Sequence, residues 1–215
     1  MAYDEAETEF DRQVERLVAI GYPAAAGIDT DPFVALLEPL RREILAAAPG
    51  LPAPSRERVP FVVTVSSRLV PVTEMMPRTA LRSRPGFVSR DTGDIERFKP
   101  IEAARVPDAG AWVTYDVVRG SDLVSVTPDD ALVTITGRGR SPLTVEEGIA
   151  FVTHHPGSLE KNHCFSLLAS RCGDRRVPAL WISEGAPKLG WCWAGNPHTW
   201  LGSASCAGRS DVGSS

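Results

Sequence analysis

Apolar residues recur at helical spacing twice near the start of the chain. Phe10, Val14, Leu17 and Val18 form one stripe and Phe33, Leu36, Leu37, Leu40 and Ile44 a second, so the pattern predicts two amphipathic helices opening the fold. Thr30 or Asp31 before Pro32 offers the second helix a cap and a first-turn proline. A proline-rich stretch at 48–54 ends it. A helical segment over residues 1–48 is therefore expected to pack, as one compact unit, on a body spanning 55–206.

In that body the period changes. Val59 to Val65 is a β-branched apolar run and reads as a buried strand, and Ala111 to Val118 and Ala131 to Thr136 read as strands too. Pro71 to Arg105 is irregular and is expected to be mainly loop. Thr144 followed by Glu147 is a capping-box pair that opens a helix of about ten residues. After it, His163 to Ser170, Val177 to Ser183, Leu189 to Ala194 and Thr199 to Ser205 are strand-like runs separated by turn-prone segments, which predicts an antiparallel meander. The sum is an α+β fold, with N-terminal helices packed on a mainly antiparallel sheet and a C-terminal β-meander. Residues 207–215, rich in Gly and Ser, are expected to form a disordered tail.

Composition narrows the function classes. A net charge of −4 argues against nucleic acid as the main partner. The first ten residues are acidic where a secretion signal needs a basic start, and no apolar run reaches membrane-spanning length, so a cytoplasmic protein without a membrane partner is expected. Cys164, Cys172, Cys192 and Cys206 have no CxxC spacing and should stay reduced there.

The segment Arg176-Val-Pro-Ala-Leu-Trp-Ile-Ser183, with Ala186-Pro-Lys-Leu-Gly-Trp-Cys-Trp-Ala-Gly-Asn-Pro-His-Thr-Trp-Leu-Gly202 after it, resembles a family of uncharacterised actinobacterial proteins, a domain of unknown function. The resemblance extends to Pro142-Leu-Thr-Val-Glu-Glu-Gly148 and over most of the chain. It implies no activity, ligand or catalytic residue.

The tryptophan string supports a physical reading. If Gly195 to His198 is a four-residue hairpin loop, Trp193 lies opposite Trp200 and Trp191 opposite Gly202, and the three rings share one face. Core and hairpin packing is one account of them. The other starts from their polar neighbours: Trp191, Trp193, Trp200, Asn196, His198 and Lys188 would make an aromatic wall with a few convergent polar groups, a pocket for a small molecule or a peptide. The alternatives are a structural or protein-interaction domain, or an enzyme with chemistry around His198.

Other constellations are weaker. All four histidines and all four cysteines lie between residues 154 and 206, but their spacing fits no standard zinc pattern, so neither a metal nor a cofactor is expected. Cys192 or Ser183 could serve as a nucleophile with His198 as base, although no GxSxG elbow is present. His154 and His155 at the end of the capped helix could carry charge that suits its negative terminus. Gly137-Arg-Gly-Arg-Ser141 before that helix lacks both phosphate-loop spacings and reads as a surface turn. Arg171, Arg175 and Arg176 would form a basic knuckle, tempered by Asp174.

Overall fold

A computed structural model describes residues 1–211. The helix Tyr3–Ala19 buries Ala6, Phe10, Val14 and Leu17, as the apolar spacing requires. The second expected helix is two, Thr30–Leu37 and Pro39–Ala47, because Pro39 has no amide hydrogen to continue the first. The break turns Leu36 outward, leaving it 40% exposed, and the cap of the first piece falls on Asp29 rather than on Thr30 or Asp31.

Two five-stranded sheets form the body. In the first, Arg58–Val65 runs antiparallel to Ala111–Val118, and seven of its eight residues are buried, which explains its near-continuous apolar run. Ser141–Pro142, Ser205–Cys206 and Gly208–Ser210 complete this sheet. The outer edge of Arg58–Val65 is closed by buried Gln13, whose Nε2 donates to Phe61 O (3.2 Å) and whose Oε1 accepts from Val63 N (2.8 Å). A side-chain amide thus satisfies the backbone groups that an edge strand would otherwise leave open.

The second sheet has the order Leu201–Ser203, Cys164–Ser166, Arg176–Ser183, Ala186–Trp193, Phe87–Val88. Its three central strands are antiparallel and its two outer pairings parallel. The helix Val145–His154 is buried at every residue and packs against Arg58–Val65 of the first sheet and Arg176–Ser183 of the second. Its capping box forms as expected: Thr144 Oγ1 accepts from Glu147 N (3.3 Å) and the Glu147 carboxylate accepts from Thr144 N (2.8 Å). Ala204 links Leu201–Ser203 in one sheet to Ser205–Cys206 in the other, so the chain changes sheets at a single residue. The fold is α+β, with N-terminal helices and mainly antiparallel sheets.

Three expectations fail. Ala131 to Thr136 is not a strand but part of the helix Pro128–Gly137, where Thr127 Oγ1 accepts from Asp130 N (3.1 Å) and Asp129 and Asp130 occupy the first turn. A good cap and the buried pair Ala131 and Ile135, four residues apart, outweigh the β-branched preference of Val133 to Thr136. Thr199 to Ser205 does not form a hairpin with Leu189 to Ala194: Leu201–Ser203 pairs in parallel with Cys164–Ser166, at the far side of the sheet. The predicted tail also contributes structure, since Gly208–Ser210 pairs with Ala111–Val118; residues 212–215 of that tail lie outside the described residues.

Candidate functional site

The true register of the Arg176–Ser183 and Ala186–Trp193 hairpin places Trp193 opposite Arg176, Trp191 opposite Pro178, Gly190 opposite Ala179 and Lys188 opposite Trp181. Side chains alternate along a strand, so Trp191 and Trp193 share one face, while Trp181, Lys188 and Cys192 share the other. Tryptophans therefore occur as two pairs. Trp191 and Trp193 meet edge to face at 4.8 Å between ring centroids, with the Arg176 guanidinium 5.7 Å from the Trp191 ring and the Trp191 Nε1 donating to Asp91 O (3.0 Å). Trp181 and Trp200 meet at 6.1 Å and 67°, and His198 lies 5.4 Å from Trp200.

A cavity of about 310 Å³ opens beside the second pair. Trp181, Trp200, His198 and Asn196 line it together with Ala179, Cys192 and Leu201, and Trp191 and Trp193 adjoin it from the strand that carries Cys192. The structure thus brings Trp200, Asn196 and His198 together as the sequence suggested, but by a crossover rather than by a hairpin. Trp193 is not opposite Trp200, and Lys188 does not line the cavity; its ammonium rests 5.3 Å from the Trp181 ring instead.

Trp181 is the lining residue that sequence reasoning did not nominate. Its ring covers Gly190, where a Cβ would come within 2.2 Å of the indole, so Gly190 is the cue that an aromatic lies over bare backbone. The group that stands out chemically is His198. Its Nε2 is buried without a hydrogen-bond partner. The indole N–H groups of Trp181 and Trp200 likewise have no partner among the described residues, whereas that of Trp191 does.

The nucleophile arrangements are not assembled. Burial pushes the Cys192 thiol up, keeping it protonated, and its recorded partner is Ser166 Oγ at 3.8 Å rather than His198. Ser183 sits at the hairpin turn opposite Ala186, outside the cavity lining. His154 and His155 do not carry charge at the helix end as the sequence suggested. Burial lowers them to about 3 and about 4, and His154 Nε2 bonds Val63 O at 2.9 Å. Arg140 of the Gly137 to Ser141 turn is engaged internally by Asp116 (2.7 Å), and Arg176 and Arg175 of the basic knuckle are paired with Asp174 (2.9 Å) and Asp129 (3.8 Å). Among the described residues no group of three or more His, Cys, Asp or Glu side chains is placed to hold a metal ion.

A larger cleft of about 480 Å³ lies at the other sheet, between Ser66–Arg68, residues 99–108, Trp112 and Glu146. Part of its polar lining is matched internally, since Ser67 Oγ donates to Glu146 (2.7 Å) and Arg68 pairs with Asp108; Lys99, Glu102 and Arg105 line it as well, with no ion pair among the described residues. Behind it, fully buried Glu147 accepts from Trp112 Nε1 (3.0 Å), Thr114 Oγ1 (3.1 Å) and Arg209, whose guanidinium also donates to Pro142 O and Ala104 O (both 2.8 Å). This charge pair is neutralised and hydrogen-bonded on every side, and it holds strand Gly208–Ser210 in place.

Fold and cavity together define an α+β domain built on two sheets around a buried helix, with an indole-lined hollow on the outer face of the second sheet. The chain belongs to a family of unknown function (DUF5701), whose model matches residues 16–212. No curated protein and no solved structure matches the chain. No helix among the described residues is long and apolar enough to cross a membrane.

Proposed function

We propose that this chain is a binding module that takes a small molecule, or a side chain of a peptide, in the cavity beside Trp181 and Trp200. One observation carries the reading: a buried, unpartnered His198 Nε2 in the lining of an aromatic hollow. A buried polar atom left without a partner costs roughly 1–3 kcal/mol, and a ligand that supplies the missing hydrogen bond recovers that cost on binding. Aromatic walls with a few polar groups are the usual make-up of such sites. The reading places the protein in the cytoplasm, where its four free cysteines would stay reduced.

Saturation-transfer NMR against a mixed set of small rings, sugars and short peptides tests it. Transfer to at least one compound is expected with the native chain and not with Trp200→Ala, provided the variant keeps its cooperative melt. A native chain that gives no transfer, or a variant that gives the same transfer, returns the tryptophans to a purely structural role.

A further inference from the structure

The chemistry of the cavity walls narrows the ligand class, an inference that rests on the binding reading above. Trp181 and Trp200 form a corner at 67°. A flat ring stacked on one indole meets the other edge-on, and these are the two arrangements that aromatic groups prefer. A bulky saturated group gains neither.

Charge points the same way. No Asp or Glu lines the cavity. The charges beside it are positive: Lys188 Nζ lies 5.3 Å from the Trp181 ring and 5.9 Å from the Phe87 ring with no ion pair to a carboxylate among the described residues, and Arg171 acts electrostatically on the lining Cys192. A cationic ligand would compete with Lys188 for the indole face and meet uncompensated positive charge. Aromatic sites that bind ammonium groups need the opposite arrangement.

Hydrogen bonding sets the last constraint. His198, Asn196, Trp181 and Trp200 all line the cavity; the His198 Nε2 lies just beneath its surface without a hydrogen-bond partner, and no internal hydrogen bond engages the Asn196 side-chain amide or the two indole N–H groups among the described residues. A ring lying in the corner presents its edge atoms, rather than its faces, to such groups. We infer that the cavity takes a flat ring, uncharged or anionic, with a hydrogen-bonding oxygen or nitrogen in its plane, and that it turns cations away. His198 is then the residue that selects for the edge atom.

Three probes share a phenyl ring and differ in charge: benzamide, benzoate and phenyltrimethylammonium. Each is titrated into the full chain at neutral pH while tryptophan emission is followed, excited at the red edge of indole absorption. Four of the five tryptophans line or adjoin the cavity, so the signal reports on it. Benzamide and benzoate are expected to quench saturably, with phenyltrimethylammonium at least about tenfold weaker and benzamide weakened about tenfold by His198→Ala. Equal or tighter binding of phenyltrimethylammonium overturns the charge selectivity while leaving the binding reading intact. Unchanged benzamide affinity in His198→Ala overturns the assigned role of that residue. If methyl β-glucoside binds and none of the three phenyl probes does, the ring class is wrong; if all four fail, the binding reading falls with it.

Discussion

His154 shows how much one buried side chain can contribute to the response of the whole fold. Its Nε2 bonds Val63 O, its Nδ1 has no partner, and burial, with His155, Arg12 and Arg16 nearby, lowers it to about 3. The native state therefore keeps it neutral while the unfolded chain takes up a proton below its ordinary value of 6.5. Stability is full above that value and is lost as pH falls toward the folded one. Between pH 7 and pH 5 the loss is about 2 kcal/mol from this residue alone. Urea midpoints at the two pH values check it: His154→Gln, which keeps a donor for Val63 O, should reduce their difference by about this amount, and His155, lowered to about 4, should account for a comparable remainder. At the same scale, Asn196, His198 and Trp200 were visible in the sequence as an aromatic group with polar neighbours. Trp181 was not, because the face a strand residue takes depends on a pairing register that no local pattern fixes. Arg209 was hidden as well: in a stretch of Gly, Ser and Asp its burial is dictated by Glu147, distant in sequence.

At the scale of elements, most local signals match the structure, the strand expected over Ala131 to Thr136 being the exception, and the non-local ones do not. The helix opened by Thr144 and Glu147, the strands Arg58–Val65 and Ala111–Val118 and the hairpin from Arg176 to Trp193 all follow from caps and periodicity. Leu201–Ser203 has a partner some forty residues upstream and runs parallel to it, and nothing in its own sequence distinguishes that from a neighbouring hairpin. Two glycines make the arrangement possible. A Cβ on Gly202 would lie 2.3 Å from Gly120 O, and one on Gly120, at φ +74°, would lie 2.0 Å from Ser203 O. Neither neighbour can yield, being backbone. Gly202→Ala is expected to destabilise the protein by about 3 kcal/mol or more, read from a urea melt, because the strand that delivers Trp200 to the cavity must move away. A melt within about 0.5 kcal/mol of native would show that the contact relaxes freely.

At the scale of the molecule a main apolar core runs from Ala6 to Cys206 and joins the N-terminal helices, both sheets and the buried helix. A second, smaller cluster, with Leu123, Ile135, Leu168 and Val177, lies under helix Pro128–Gly137. Removing residues 1–48 would strip Phe10, Phe33 and Ile44 from the main core and take Gln13 from the edge of Arg58–Val65. The remainder is expected to lose its near-ultraviolet tryptophan dichroism and to aggregate through the opened edge, whereas the full chain unfolds in one transition by near- and far-ultraviolet signals alike. A truncated body with native dichroism would make the helices an independent appendage.

The pairing of Glu147 with Arg209 also orders events in time. A ribosome makes the chain from its N-terminus, so Glu147 emerges 62 residues before the guanidinium that neutralises it. Until Arg209 arrives, burying the first turn of the central helix leaves the Glu147 carboxylate without its counter-charge, which disfavours closing the two sheets around it. Nascent chains halted between these two residues should accordingly remain sensitive to protease, however many of their strands have already been made.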